Sequence, residues 1–143
     1  ALPSGVTAAS LRDAREKMRQ RFHPDIGSQE GLSRRNLFQL LPHAGSPPLY
    51  KAGGNAPYIT VLGHDFEFFA ERTEMALGIP IAVIQTYMNT YWHRYNQGLA
   101  NLTISERSKG PFQVPGAGHF IQADNPAYVA ERLHEMLQLL EVD

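Results

Sequence analysis

Val114-Pro115-Gly116-Ala117-Gly118-His119-Phe120-Ile121-Gln122, followed by Asp124-Asn125-Pro126, is the stretch on which the fold turns. Phe112-Gln113-Val114 reads as a short strand running into the glycines. Asn125 can cap a helix with Pro126 at its first position, and Val129, Leu133, Met136 and Leu140 then form a stripe expected to be buried. The order is therefore strand, glycine turn, helix. A general base needs an imidazole that is fixed yet reachable, and a turn directly after a buried strand supplies both. His119 has that position, with Gly116 and Gly118 free to adopt backbone conformations closed to other residues.

Upstream, Tyr58-Ile59-Thr60-Val61-Leu62 is β-branched and apolar, and Gly63-His64-Asp65 turns into a segment with Phe66, Phe69, Ala70, Thr73 and Leu77 on one face. Gly78 and Pro80 stop that helix. Ile81-Ala82-Val83-Ile84 is a continuous apolar run of the kind buried on both faces of a parallel sheet, so a strand is expected there. Trp92, Tyr95, Leu99 and Leu102 recur at helical spacing before the final strand. Strands alternating with helices from residue 57 onward predict an α/β arrangement with parallel strands.

Before residue 57 the pattern differs. Ser10 followed by Asp13 opens a helix of about twelve residues, with Leu11, Ala14, Met18 and Phe22 on one face and Pro24 as its stop. Residues 26–57 are rich in Gly, Pro and Ser around Leu37-Phe38-Gln39-Leu40-Leu41, which predicts a short helix between irregular loops. The organisation is thus a helical cap-like or lid-like segment over 1–56 and an α/β portion over 57–143.

The chain has 143 residues, 43% hydrophobic and 19% charged, enough for one domain with a core. Thirteen basic and fourteen acidic residues give a net charge of −1, too even for a nucleic-acid or anionic-membrane binder that works by charge alone. A small, mostly apolar molecule is the better partner. There is no cysteine, hence no disulfide, thiolate nucleophile or cysteine metal site, and no metal or organic cofactor is implied. Ala1-Leu2-Pro3-Ser4-Gly5-Val6 lacks the charged start and apolar run of a signal peptide, and no apolar stretch approaches the roughly 18 residues that span a bilayer. A soluble chain is expected, cytoplasmic in preference to secreted, its compartment otherwise open.

The segment from Val114 to Pro126, with Val129 beyond it, resembles the histidine loop and closing helix of the α/β-hydrolase family: strand, Gly-x-Gly-His, a short apolar stretch, Asp-x-Pro and a last helix. More loosely, Ile79–Ile84 resembles the strand before the catalytic acid, and Trp92–Ser108 the next helix and loop. The resemblance implies the C-terminal part of an α/β-hydrolase fold, with His119 as the base of a catalytic triad acting on an ester-like or related bond. Two departures matter. No Gly-x-Ser-x-Gly elbow occurs in the chain, so the nucleophile would come from a second polypeptide or a missing N-terminal half. The stretch Gln85-Thr86-Tyr87-Met88-Asn89 carries no carboxylate where the family has its acid, which leaves Asp65, at the alternative position one strand earlier, as the candidate to orient His119. Asp65 is equally suited to cap the helix that begins at Phe66. Tyr87, Met88, Trp92 and Phe120 are the candidate lining of a substrate pocket, and core or lid packing would also explain such residues.

Two other function classes compete. The chain could be a catalytically inactive binding or regulatory module on the same fold. Alternatively, Ala14, Lys17, Met18, Arg21 and Phe22 with His23-Pro24-Asp25 resemble the second helix and His-Pro-Asp loop of a J-domain, implying a co-chaperone; a helix ended by a polar turn and a proline accounts for the same residues.

Overall fold

The computed structural model describes residues 1–27, 31, 33–36, 39, 44, 45, 47–50 and 56–140. The short helix expected at Leu37–Leu41 falls outside the described residues apart from Gln39. Elsewhere the chain is a mixture of helix and sheet built around a small parallel sheet of two strands, β1 (Ile59–His64) and β2 (Ser108–Val114). Leu62 lies opposite Phe112 and His64 opposite Val114, so both strands end on the same edge. None of the described helices is long and apolar enough to cross a membrane.

Helix α1 (Ala8–Phe22) starts earlier than Ser10. Thr7 has the extended backbone of a cap; its hydroxyl accepts from the Ser10 amide, and the Ser10 hydroxyl accepts from the Thr7 amide, both at 3.0 Å. Ser10 is thus the third residue of a capping box rather than its first. Ala14 of α1 is buried in a core with Val6, Phe69, Ala70, Ile79, Val83 and Ile84, and Leu11 and Met18 pack against it. Phe22, expected on the same face, is exposed.

The turn after β1 leads at once into α2 (Phe66–Leu77), capped by Asp65 and closed by Gly78 in the left-handed region, as its stop signals predict. Ile81–Ile84, expected to be a strand, is instead the start of helix α3 (residues 81–100). Glu74 accepts from the Ile81 amide at 3.2 Å, satisfying one of the donors a helix start leaves open, and the Ile84 amide donates to Pro80. A four-residue apolar run suits a buried helix turn as well as a strand, and tertiary packing decided between them. Here Val83 and Ile84 fill the core beside Phe69 and Ala70. Among the described residues the sheet therefore has two strands where three were expected.

Helix α3 changes character along its length: Ile81–Val83 and Thr90–Ala100 are α-helical, and Ile84–Asn89 is π-helical. Its first half packs on α2 and its last half on both strands. After β2, the turn at residues 115–120 and a short helix α4 (Ile121–Asp124) lead into α5 (Pro126–Leu140). Asn125 caps α5 through its side-chain oxygen, which accepts from the Tyr128 amide at 3.1 Å. The expected stripe is only half right, because Val129 and Met136 are half-buried while Leu133 and Leu140 are exposed. Arg132, next to Leu133, holds its guanidinium over the Phe112 ring of β2 and the Tyr128 ring of its own helix and reaches Glu135, so an arginine head lies on the strand residue where a leucine was expected.

Candidate functional site

In open parallel sheets the edge formed by the carboxyl ends of the strands is where loops gather side chains for binding or chemistry. On that edge β1 delivers His64 and Asp65, and β2 delivers the loop from Pro115 to Phe120.

Asp65 ties the two together. One carboxylate oxygen accepts from the amides of Glu67 at 3.0 Å and Phe68 at 3.2 Å, and the other accepts from the Gly116 amide at 3.0 Å. The Asp65 amide in turn donates to the Ala117 carbonyl at 2.8 Å. These donors, Gly116 foremost, hold the Asp65 carboxyl below its ordinary range. Gly116 has φ of +67°, the left-handed conformation the sequence reading required of a glycine. Gly118 meets a different demand, close approach: its amide donates to Asp124 at 2.8 Å, and a Cβ there would stand 3.3 Å from that carboxylate and 3.6 Å from the Phe68 ring. On the far side Asn125 donates to the Pro115 carbonyl at 3.1 Å. The loop is braced at both ends.

His119 rides on that braced loop and is exposed. Its ring meets Phe120 edge-on, with centroids 4.9 Å apart, and among the described residues no hydrogen bond reaches either ring nitrogen. Asp65 is therefore bound to the hinge that carries His119 and not to the imidazole.

Sequence reasoning set His64 aside as a surface or satisfied core residue, and it is the latter, with an ordered partner that local pattern does not reveal. The ring is 8% exposed, stacks on Phe69 at 4.0 Å between centroids, and lies 2.9 Å from the side-chain oxygen of Asn89. Asn89, itself buried, donates its amide to the Phe66 carbonyl at 3.0 Å. That orientation leaves the Asn89 oxygen as an acceptor, which puts the His64 proton on Nε2. Burial pushes the His64 imidazole below its usual value, the Asn89 bond opposes this, and His119 is near enough to lower it further.

The pocket candidates separate. Tyr87 and Met88 line a groove of about 280 Å³ between α1 and the start of α3, floored by Ala14 and Val83. Trp92 stacks edge-on with Tyr95 and is 38% exposed; Phe120 is 58% exposed beside His119; neither lines that groove. Among the described residues no cluster of His, Cys, Asp and Glu is arranged to hold a metal ion. His23, Pro24 and Asp25 form the turn that closes α1: the His23 ring accepts from the Asp25 amide at 3.3 Å, and Asp25 pairs with Arg35.

Comparison with protein-family models, curated proteins and solved structures finds no match to this chain.

Proposed function

We propose that this chain is the C-terminal portion of an α/β-hydrolase-type enzyme that cleaves an ester-like or related bond of a small, mostly apolar substrate. The observation that carries the reading is His119: an exposed imidazole, with no hydrogen-bond partner among the described residues, on a loop braced by Asp65 and Asp124 at the shared carboxyl edge of two parallel strands. Such a ring is fixed through its backbone while its nitrogens are left for groups brought from outside.

In this reading a serine hydroxyl from a second polypeptide, or from a part of the protein beyond this chain, stands against one ring nitrogen. His119 takes the hydroxyl proton as the oxygen attacks the scissile carbonyl and returns it to the leaving group. Asp65 acts as a positioning residue: it orients His119 by fixing the Gly116 hinge, and its negative charge on the same edge favours the imidazolium formed in the first step.

A serine-directed fluorophosphonate probe tests the proposal in extracts supplemented with this chain. Labelling of a partner serine that requires the chain and disappears with His119→Ala supports the enzyme. A partner that binds the chain but is never labelled, with or without His119, replaces it with the inactive module. For the J-domain likeness, the capping turn at His23-Pro24-Asp25 supports the plainer account; stimulation of an Hsp70-type ATPase that is lost in His23→Gln would reinstate the co-chaperone.

A further inference from the structure

The groove between α1 and the first half of α3 has a chemical polarity that the hydrolase reading does not use. Its walls are Leu11, Ala14, Met18, Val83 and Met88, and among the described residues its one charged lining group is Arg15, with Tyr87 contributing a hydroxyl-bearing ring. Arg15 is exposed and has no ion pair or hydrogen bond among the described residues. Both carboxylates of α1 are engaged elsewhere: Asp13 pairs with Lys17 at 2.7 Å, and Glu16 accepts from Gln20 at 2.9 Å. Arg12 and Arg19 flank Arg15 at helical spacing and are also without ion-pair partners among the described residues. An apolar trough of about 280 Å³ whose lining carries a guanidinium with no counter-charge among the described residues is complementary to an organic anion with an apolar tail.

We infer that this groove binds a monocarboxylate with a medium-length apolar chain, the chain lying between α1 and α3 and the carboxylate at Arg15. The use of this site for substrate recognition rests on the hydrolase reading; the binding itself does not. Octanoate is the probe, titrated into the intact chain by calorimetry. Saturable binding with one site per chain is expected, weakened about fivefold in Arg15→Gln, the size of one solvent-exposed ion pair. Octanol, which keeps the tail and lacks the charge, should bind equally to the parent chain and to Arg15→Gln. Arg19→Gln, outside the lining, should bind octanoate as the parent does.

Absence of saturable binding to the folded chain overturns the inference. Equal losses in Arg15→Gln and Arg19→Gln also overturn it, because they reduce the effect to the general charge of α1. So does a dimer in sedimentation whose formation excludes octanoate, which would give the groove to a second copy. His119→Ala should leave octanoate binding unchanged, so failure of the hydrolase reading and failure of this site are separately visible.

Discussion

Replacing Asp65 by alanine removes the oxygens that accept from Glu67, Phe68 and Gly116 at once. The loss divides into two parts. The first is the helix cap on α2, for which substitution by alanine costs about 1 kcal/mol. The second is the Gly116 amide, a charge-assisted bond at a half-exposed site, for which about 1 kcal/mol is a fair share of the usual range. Asp65→Ala should therefore lower unfolding stability by about 2 kcal/mol in urea titrations at neutral pH. Asp65→Asn keeps a good capping side chain and should cost about half as much or less. The distinguishing readout is local: amide exchange at Gly116 should accelerate in Asp65→Ala well beyond the global change, because this carboxylate is the side-chain link from the end of β1 to the histidine loop, beside the backbone bond from the Asp65 amide to the Ala117 carbonyl. A change within about 0.5 kcal/mol, the range of an ordinary surface substitution, with unaltered Gly116 exchange would refute the clamp.

Asn89→Ala leaves the buried His64 Nε2–H without its partner and takes a second donor from the Phe66 carbonyl, and should cost about 2 kcal/mol by urea denaturation, with a changed His64 ring shift in NMR. Gly110 has φ of +93° and a Cβ there would run into the Val61 carbonyl, so Gly110→Ala should destabilise by more than about 2 kcal/mol in the same assay. His119→Ala, at an exposed ring without hydrogen bonds among the described residues, should leave the unfolding free energy in urea unchanged within about 0.5 kcal/mol while abolishing any His119-dependent labelling. Since the folded imidazole of His64 is held low by burial, its contribution is complete above the unfolded value near 6.5 and declines as pH falls through it, by at most about 1.4 kcal/mol per pH unit. His64→Phe should flatten that part of the stability profile between pH 7.5 and pH 5, and an unchanged slope would remove His64 as its source.

Residues whose structure is set by neighbours in sequence were legible. Asp65 before Phe66, Gly78 after Leu77 and Asn125 before Pro126 each mark a helix boundary, and the two strand-turn-helix units they delimit are present. Parallel pairing was legible too, because a strand followed by a helical crossover to another strand favours it. Ile81–Ile84 was not, since four apolar residues carry no period and the packing of Val83 and Ile84 on Phe69 settled the matter. The face of α5 was misjudged for a related reason: pattern counts leucines, whereas the guanidinium of Arg132 lies over Phe112 of β2. The His64–Asn89 pair joins residues 25 positions apart, and neither has a local signature. The strand that Ile79–Ile84 was expected to supply before an acid loop is not formed, and Gln85–Asn89 is helix rather than a loop at a strand end.

The π-helical stretch is where these parts connect. Each residue added to an α-helix turns its faces by about 100°, so a wider turn within a continuous helix re-aims everything beyond it. Before and within the stretch, Val83, Tyr87 and Met88 face the groove beside α1; at its end, Asn89 faces His64; beyond it, Thr90–Ala100 packs on the two strands. A regular helix with the same contacts at Val83 would carry Asn89 away from the imidazole. One irregular turn therefore lets a single helix wall the groove, orient Asn89 toward the buried histidine and cover the sheet. Ligand contacts at Tyr87 and Met88 are consequently one residue removed from the side chain that holds His64, and His64 in turn lies within electrostatic reach of His119. If the groove binds its anion as inferred, the first distant group to register it in NMR should be the His64 ring, through Asn89, ahead of any change at Trp92.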